Sequence, residues 1–234
     1  MKNFTAEYFF DFQHYRHRQL FEGCLYVWQA LPKIAPYLKS YSFGGIKGSI
    51  EVEVPKGVYL INPETISIGK GSVLEPGAYI KGPCILGENC TVRHGAYIRG
   101  DFIAGDGCVI GHDTEIKNSL FFDNVHAAHF AYVGDSILGS HVNLGAGTKC
   151  ANLKFDYSNI IVTVEGKKID TGLHKFGAIM GDLSQTGCNS VTNPGTLFGQ
   201  RVFCYPCMNV GGFIPSDHIV KPSEHPIIVP YHTK

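Results

Sequence analysis

Three basic residues, Lys81, Arg99 and Lys117, stand eighteen positions apart, and each directly follows an isoleucine (Ile80, Ile98, Ile116). If eighteen residues close one turn of a coiled chain, the three form a cationic column on one corner. Like charges stacked at that spacing repel one another. A phosphate or pyrophosphate laid across them would relieve the repulsion, since Arg offers a bidentate fork and Lys a point charge. The same residues could also be solvated corner groups with their heads splayed apart. A second column is His94, His112 and His129, each two residues after Val92, Ile110 or Ala127, with His129 seventeen rather than eighteen past His112. Stacked histidines could be metal ligands, a general base with bystanders, or plain corner residues. His129 is singled out by its setting, AAHFAYVGD, with Tyr132 three residues on and Asn143 and Asn152 downstream. A neutral imidazole is the usual base for deprotonating an amine or hydroxyl nucleophile near neutral pH.

The element that must hold such columns is a ladder of hexads. An aliphatic residue or alanine returns every six positions at Ile68, Leu74, Ile80, Leu86, Val92, Ile98, Ala104, Ile110 and Ile116. The residue four places after most of them is small: Ser72, Ala78, Cys84, Cys90, Ala96, Cys108, Thr114. Neither a helical period nor strand alternation gives an unbroken register of six. A hexapeptide repeat does, and it predicts an all-β, left-handed parallel β-helix in which three hexads make one triangular coil. The ladder also accounts for Cys84, Cys90 and Cys108 as small inward residues, since free Cys packs as a small hydrophobe. Cys204 and Cys207 form a CxxC with no second CxxC to complete a zinc site.

Along the chain, residues 1–45 read as an aromatic and helical cap over the open N-terminal edge of the solenoid. Leu20, Phe21, Leu25, Trp28 and Leu31 follow helical steps between about Arg18 and Leu31, and Pro32 and Pro36 limit that helix. Solenoids need capped ends because an end coil has unpaired backbone groups. Residues 46–213 read as the β-helix, with strand-like pieces (SIEVEV, GVYLI) leading into the first coil. Phe121, Ala127, Val133, Leu138, Leu144 and Cys150 continue the ladder with two steps of five. An excursion over about 152–178 leaves the register, and IIVTVEGKKID within it reads as a hairpin around Glu165-Gly166. Met180, Thr186, Thr192, Phe198, Cys204 and Val210 resume the ladder. Residues 214–234 read as an extended arm, and the whole as on the order of six coils. Long loops inside a compact domain are usually functional.

The 234 residues suit one domain, or one with a small appendage. Basic and acidic residues balance at 20 each, which leaves no footprint for nucleic acid or a membrane surface. No apolar run approaches the roughly 18 residues of a membrane span. MKNFTAEYFF lacks the basic start and apolar core of a secretion signal. The expectation is a cytoplasmic protein.

The stretch VHAAHFAYVGDSILGSHVNLGAGTKCANL resembles the C-terminal acetyltransferase domain of the bifunctional uridyltransferase and glucosamine-1-phosphate acetyltransferases that make UDP-N-acetylglucosamine. Closer still is the resemblance to archaeal-type sugar-1-phosphate nucleotidylyltransferases with an amino-sugar acetyltransferase domain. Those share the motifs that stand here as ANLKFD, GKKIDTG and KFGAIMGD. The resemblance covers roughly residues 68–213. It implies that His129 is the general base, that Arg99 and Lys117 hold the sugar's phosphate, and that Tyr132, Asn143 and Lys175 line the amino-sugar pocket. It further implies that Ala146 offers backbone contacts to acetyl-CoA and that Asn152 lies near the acetyl-transfer centre. Cys188 stands where the uridyltransferase family has a serine near the coenzyme, and Pro206 where it has an alanine. The family is trimeric, with each site built between neighbouring prisms. The chain departs in two further ways. No LxxGxGTR-type phosphate loop occurs, so uridyl transfer is not expected, although VWQALPKIAPYL resembles the connector after that half. FDYSNIIV lacks lysines that archaeal relatives carry after ANLxFD.

The leading expectation is therefore an acetyl-CoA-dependent N-acetyltransferase acting on an amino-sugar 1-phosphate, with no metal required. Two other readings stand beside it. One is a non-catalytic solenoid that binds sugar nucleotides or partners a separate nucleotidylyltransferase. The other is a γ-class carbonic anhydrase, which would need three suitably spaced histidines where this chain has His126 and His129 three apart.

Overall fold

A computed structural model describes residues 4–41, 43, 49–164 and 166–222. Its body is the predicted parallel β-helix. Three parallel sheets form the faces, and from Ile66 onward the chain visits them in turn, interrupted only by the excursion. The first, here the covered face, has nine strands from Ser49–Ile50 to Phe213–Ile214. The second, the histidine face, has eight from Val73–Leu74 to Ile219–Val220. The third, the basic face, has eight from Tyr59–Ile61 to Asn209–Val210. The stack is thus longer than the six coils expected. The pieces before Ile66 already pair into it, with Ser49 opposite Ser67 and Tyr59 opposite Tyr79. At the other end Ile219 pairs with Phe203, so part of the expected arm is coil. Residues 223–234 of that arm lie outside the described residues.

The ladder is the core. Every rung from Ile68 to Ile116 is at most 3 % exposed, and the resumed rungs from Met180 to Val210 are buried too. Each buried aliphatic side chain is worth roughly 1.5–3 kcal/mol relative to exposure. The small inward residues have a second duty. Ser72 Oγ, Thr114 Oγ1 and the thiols of Cys90 and Cys108 donate to carbonyls of the next coil (Gly87, Ala127, Gly105 and Phe122) at 3.0–3.2 Å. They join each coil to the next.

The register slip is local and has a steric signature. Val109 pairs with Thr91 at a spacing of eighteen but with His126 at seventeen. The shortened coil passes so close that a Cβ on Gly111 would lie 1.7 Å from the Ala128 carbonyl oxygen. Only glycine can stand there, and its presence seats His129 directly beside His112.

The first forty residues depart from expectation in shape and place. In place of one helix over 18–31 there are short pieces: Ala6–Phe9, Arg18–Phe21, Val27–Lys33 and Ile34–Ser40, the middle two 3₁₀. Gly23, at φ 72°, turns the chain out of a helical path. Pro36 does not stop the helix, because it sits in the first turn of Ile34–Ser40, where its missing N–H has no intrahelical partner. Nor does the segment cap an end. Phe9, Phe10, Trp28, Leu31 and Ile34 pack on the outward side chains of the covered face, among them Ile85, Ile103, Leu120, Ile137, Ile179 and Leu197. Amphipathicity reveals that a face is buried but not against what.

The excursion contains the predicted antiparallel hairpin, Ile161–Val164 with Lys167–Asp170. Its return joins the stack at Ala178–Met180, where Ile179 pairs with Ile137. Among the described residues no helix is long and apolar enough to cross a membrane.

Candidate functional site

Strand register places most of the predicted residues along two edges of the basic face. His94, His112 and His129 follow one another at the edge shared with the histidine face. The same register runs on through Asn143, Gln185 and Phe203, so Ala146, Cys188 and Pro206 continue the column three residues after each. The backbone confirms the succession. Gly147 N–H donates to the His129 carbonyl at 3.0 Å, Asn189 N–H to Ala146, and Cys207 N–H to Cys188. One edge therefore aligns the candidate base with two of the candidate coenzyme contacts.

The histidines are not equivalent. His94 Nδ1 donates to the Pro76 carbonyl at 2.7 Å, and its ring stacks on His112 with centroids 5.8 Å apart. His112 Nδ1 donates to the His94 carbonyl at 3.2 Å, and its Nε2 lies 3.3 Å from Asp113 Oδ2. Both rings are committed to the corner. The His129 imidazole is exposed and makes no side-chain hydrogen bond among the described residues. No group of three or more His, Cys, Asp or Glu among the described residues is placed to hold a metal ion.

The cationic column exists as counted: Ile80, Ile98 and Ile116 pair in register and each is followed by its basic residue. Its charge balance was not foreseen. Lys117 Nζ donates to Asp135 Oδ2 at 2.6 Å, with the two side chains 17 % and 6 % exposed. Arg99 Nη1 donates to Glu115 Oε1 at 2.8 Å in a half-exposed pair. Lys81 is exposed and forms no ion pair among the described residues. The repulsion that seemed to call for an outside anion is answered in part from within the chain. The missed signal was at hand: eighteen added once more to Lys117 lands on Asp135.

Asp135 is the centre of a polar cluster at the other edge of the basic face. Its Oδ1 accepts from Asn118 Nδ2 at 2.8 Å, and its Oδ2 accepts from Lys117 Nζ and Asn152 Nδ2. The Tyr132 hydroxyl donates to Asn152 Oδ1 at 3.5 Å. Burial, then the charges of Asp135 and Glu115, push the Tyr132 hydroxyl up, which keeps it a donor. Burial raises the neighbouring Asp101 carboxyl, while Lys117 and Lys81 pull it down. Asn152 thus stands with Tyr132 and Lys117 rather than beside Ala146 and Cys188. Lys175 is close by in the backbone: it forms an antiparallel bridge with Leu153, and Phe176 N–H donates to the Asn152 carbonyl at 3.0 Å. Asn143 lies apart, on the histidine face opposite His126. A cavity of about 600 Å³ opens at the root of the excursion, lined by Ala151, Leu153, Phe155, Asn193 and Pro194.

The cysteines sort as the ladder predicts. Cys84, Cys90, Cys108, Cys150 and Cys204 are buried, whereas Cys188 and Cys207 are exposed. The CxxC is therefore split between the core and the surface.

Comparison with known proteins agrees with this architecture. A protein of Sulfurisphaera tokodaii, named bifunctional sugar-1-phosphate nucleotidylyltransferase/acetyltransferase, is 41% identical over 92 residues, which is 39% of this chain and 23% of that protein. The bifunctional protein GlmU of Methanococcus maripaludis is 42% identical over 88 residues, 38% of this chain and 21% of its own length. That of Picosynechococcus sp. is 33% identical over 135 residues, 58% and 22% of the two lengths. The matched part of the chain spans under a quarter of each of these curated relatives. Residues 80–214 match the family model described as the GMPPB C-terminal domain. That match takes in more than half of the chain and most of the coiled stack, and the chain belongs to this family.

Proposed function

We propose that the chain is an acetyl-CoA-dependent N-acetyltransferase acting on an amino-sugar 1-phosphate, glucosamine 1-phosphate or a close analogue. The observation that carries this reading is the free imidazole of His129, the one ring of its column not tied into the corner, in line with Ala146 and Cys188. The relatives named as sugar-1-phosphate nucleotidylyltransferase/acetyltransferase and GlmU support it. In the reaction the substrate amine attacks the thioester carbonyl, forming C–N, while His129 takes the amine proton. Collapse of the tetrahedral intermediate breaks C–S, and the proton passes to the departing thiolate. Lys81 and Arg99 face the substrate phosphate. Lys117, already paired with Asp135, contributes a fixed positive end. Tyr132, Lys175 and Asn143 contact the sugar, the last from a neighbouring copy in a trimer. The Ala146 backbone and Cys188 lie along acetyl-CoA, and the product would feed synthesis of a UDP-N-acetylhexosamine.

Release of free coenzyme A in the presence of glucosamine 1-phosphate or galactosamine 1-phosphate tests the activity. His129→Ala should lower turnover by about 100- to 10,000-fold, the usual contribution of a general base, with the melting temperature unchanged. Full turnover in that variant would refute the mechanism. The internal neutralisation of Lys117 and Arg99 favours a second reading, a non-catalytic subunit that partners a separate nucleotidylyltransferase. That reading expects no coenzyme release and no binding of acetyl-CoA in calorimetry.

A further inference from the structure

We propose that Asp135 is the positioning residue of the basic face, holding the Lys117 ammonium and the Asn152 amide in one arrangement for the sugar phosphate. The inference rests on the acetyl-transfer reading for its substrate, but its geometry is independent of it. Asp135 is 4 % exposed and receives donors from the coils on either side, Lys117 and Asn118 from one and Asn152 from the other. A polar group at such a depth costs free energy unless it is hydrogen-bonded, and a half-satisfied polar network is worse than none. Here both oxygens are engaged, so every member has a fixed place.

The arrangement has a direction. With its Nδ2 given to Asp135, buried Asn152 turns Oδ1 to the Tyr132 hydroxyl, so the half-buried Tyr132 side chain is held by the same network. The carboxylate likewise fixes the Lys117 ammonium toward the coil of Asp135, while Arg99, one coil back, is paired with Glu115. Removing Asp135 would free two groups on the sugar side while leaving the Ala146 and Cys188 edge alone. A merely structural corner residue would disturb both sides together.

The test is Asp135→Asn, which keeps the size but leaves one good acceptor for three donors. Displacement of about 1 Å commonly costs on the order of 100-fold, and a fall of about that size in kcat/KM for glucosamine 1-phosphate is expected, with KM for acetyl-CoA within about twofold. Asp135→Glu keeps the charge and so guards against a folding failure. It should show the same one-sided loss at about 10-fold. An unchanged sugar-side constant, or an equal rise in both KM values, overturns the proposal. Calorimetry with glucosamine 1-phosphate separates the two readings. A wild-type protein that binds the sugar phosphate more tightly than Asp135→Asn, yet transfers no acetyl group, refutes the activity and supports Asp135. Equal affinities refute Asp135 alone.

Discussion

Two faces of one prism, built from the same hexads, meet different fates. Strands of the covered face, such as Cys84–Leu86, Phe102–Ala104 and Ser119–Phe121, are buried at all three positions. Strands of the basic face, such as Tyr79–Lys81 and Glu115–Lys117, bury only the central rung. The difference lies in the outward residues: Ile85, Ile103 and Leu120 on one face, Tyr79, Lys81, Glu115 and Lys117 on the other. The inward rung sets the coil, and the outward residues decide whether a face becomes core or surface. One face is thereby given to stability and the other left open to solvent.

The largest test of this division is Phe122→Ala. Phe122 stacks on Tyr15 with centroids 3.7 Å apart and on Phe10 at 4.5 Å, joining the N-terminal segment to the covered face. Truncation should cost about 3–5 kcal/mol in denaturant unfolding, with substrate constants on the basic face unchanged below the transition. A cost under about 1 kcal/mol would show that the segment is dispensable packing.

A smaller effect should appear in the pH dependence of Asp182, which fastens the same segment. Its oxygens accept from the N–H groups of Asp11 and Ser140 at 2.7 Å, and its own N–H donates to the Phe9 carbonyl. Burial pushes its carboxyl from 3.8 up to about 6, against the pull of those two N–H groups. The folded state then holds a proton that the unfolded chain releases, so this contribution falls as pH rises from about 4 to 6. His17 acts in the opposite sense. Burial lowers its imidazole from 6.5 to about 4, so its contribution is lost as pH falls through that window. Subtraction isolates Asp182: the stability of Asp182→Asn relative to wild type should improve as pH rises from 4 to 6. A flat difference would remove Asp182 from the account.

The smallest effect belongs to the open face. Arg99 and Glu115 form an ion pair with side chains 42 % and 37 % exposed. Glu115→Gln should change unfolding free energy by less than about 1 kcal/mol. A larger loss would mean that the basic face bears on stability as the covered face does.

Much of this division can be seen in the residue order. The hexads located the inward rungs, the break and return around the excursion, and the buried cysteines. They also located the cationic column, because spacing becomes proximity once the coil length is known. The counter-ions were missed for a physical reason. Counting by eighteen does reach Asp135, but the register partner of Lys117 is Gly134, so Asp135 is met on a diagonal by the long Lys117 side chain and is not the next member of a like-charged column. The N-terminal segment was misplaced because its aromatic residues specify burial, whereas the partner surface is scattered through six strands. Two of the three histidines are sorted from the third by bonds to backbone carbonyls, which no side-chain pattern encodes.

The first forty residues also change how the stack can come apart. The Tyr8 hydroxyl accepts from Ser216 N–H, Asp11 is bound at Asp182, the Tyr15 hydroxyl donates to Phe121, and Arg16 lies near Glu88 and Asp106. The segment therefore runs lengthwise, from the late coils back to the early ones. A bare solenoid touches only its neighbours and can fray one repeat at a time. This strap ties coils that would otherwise be independent, so loosening either end must loosen the strap as well. Its contacts join residues far apart in sequence, which slows folding but makes the finished rod cooperative.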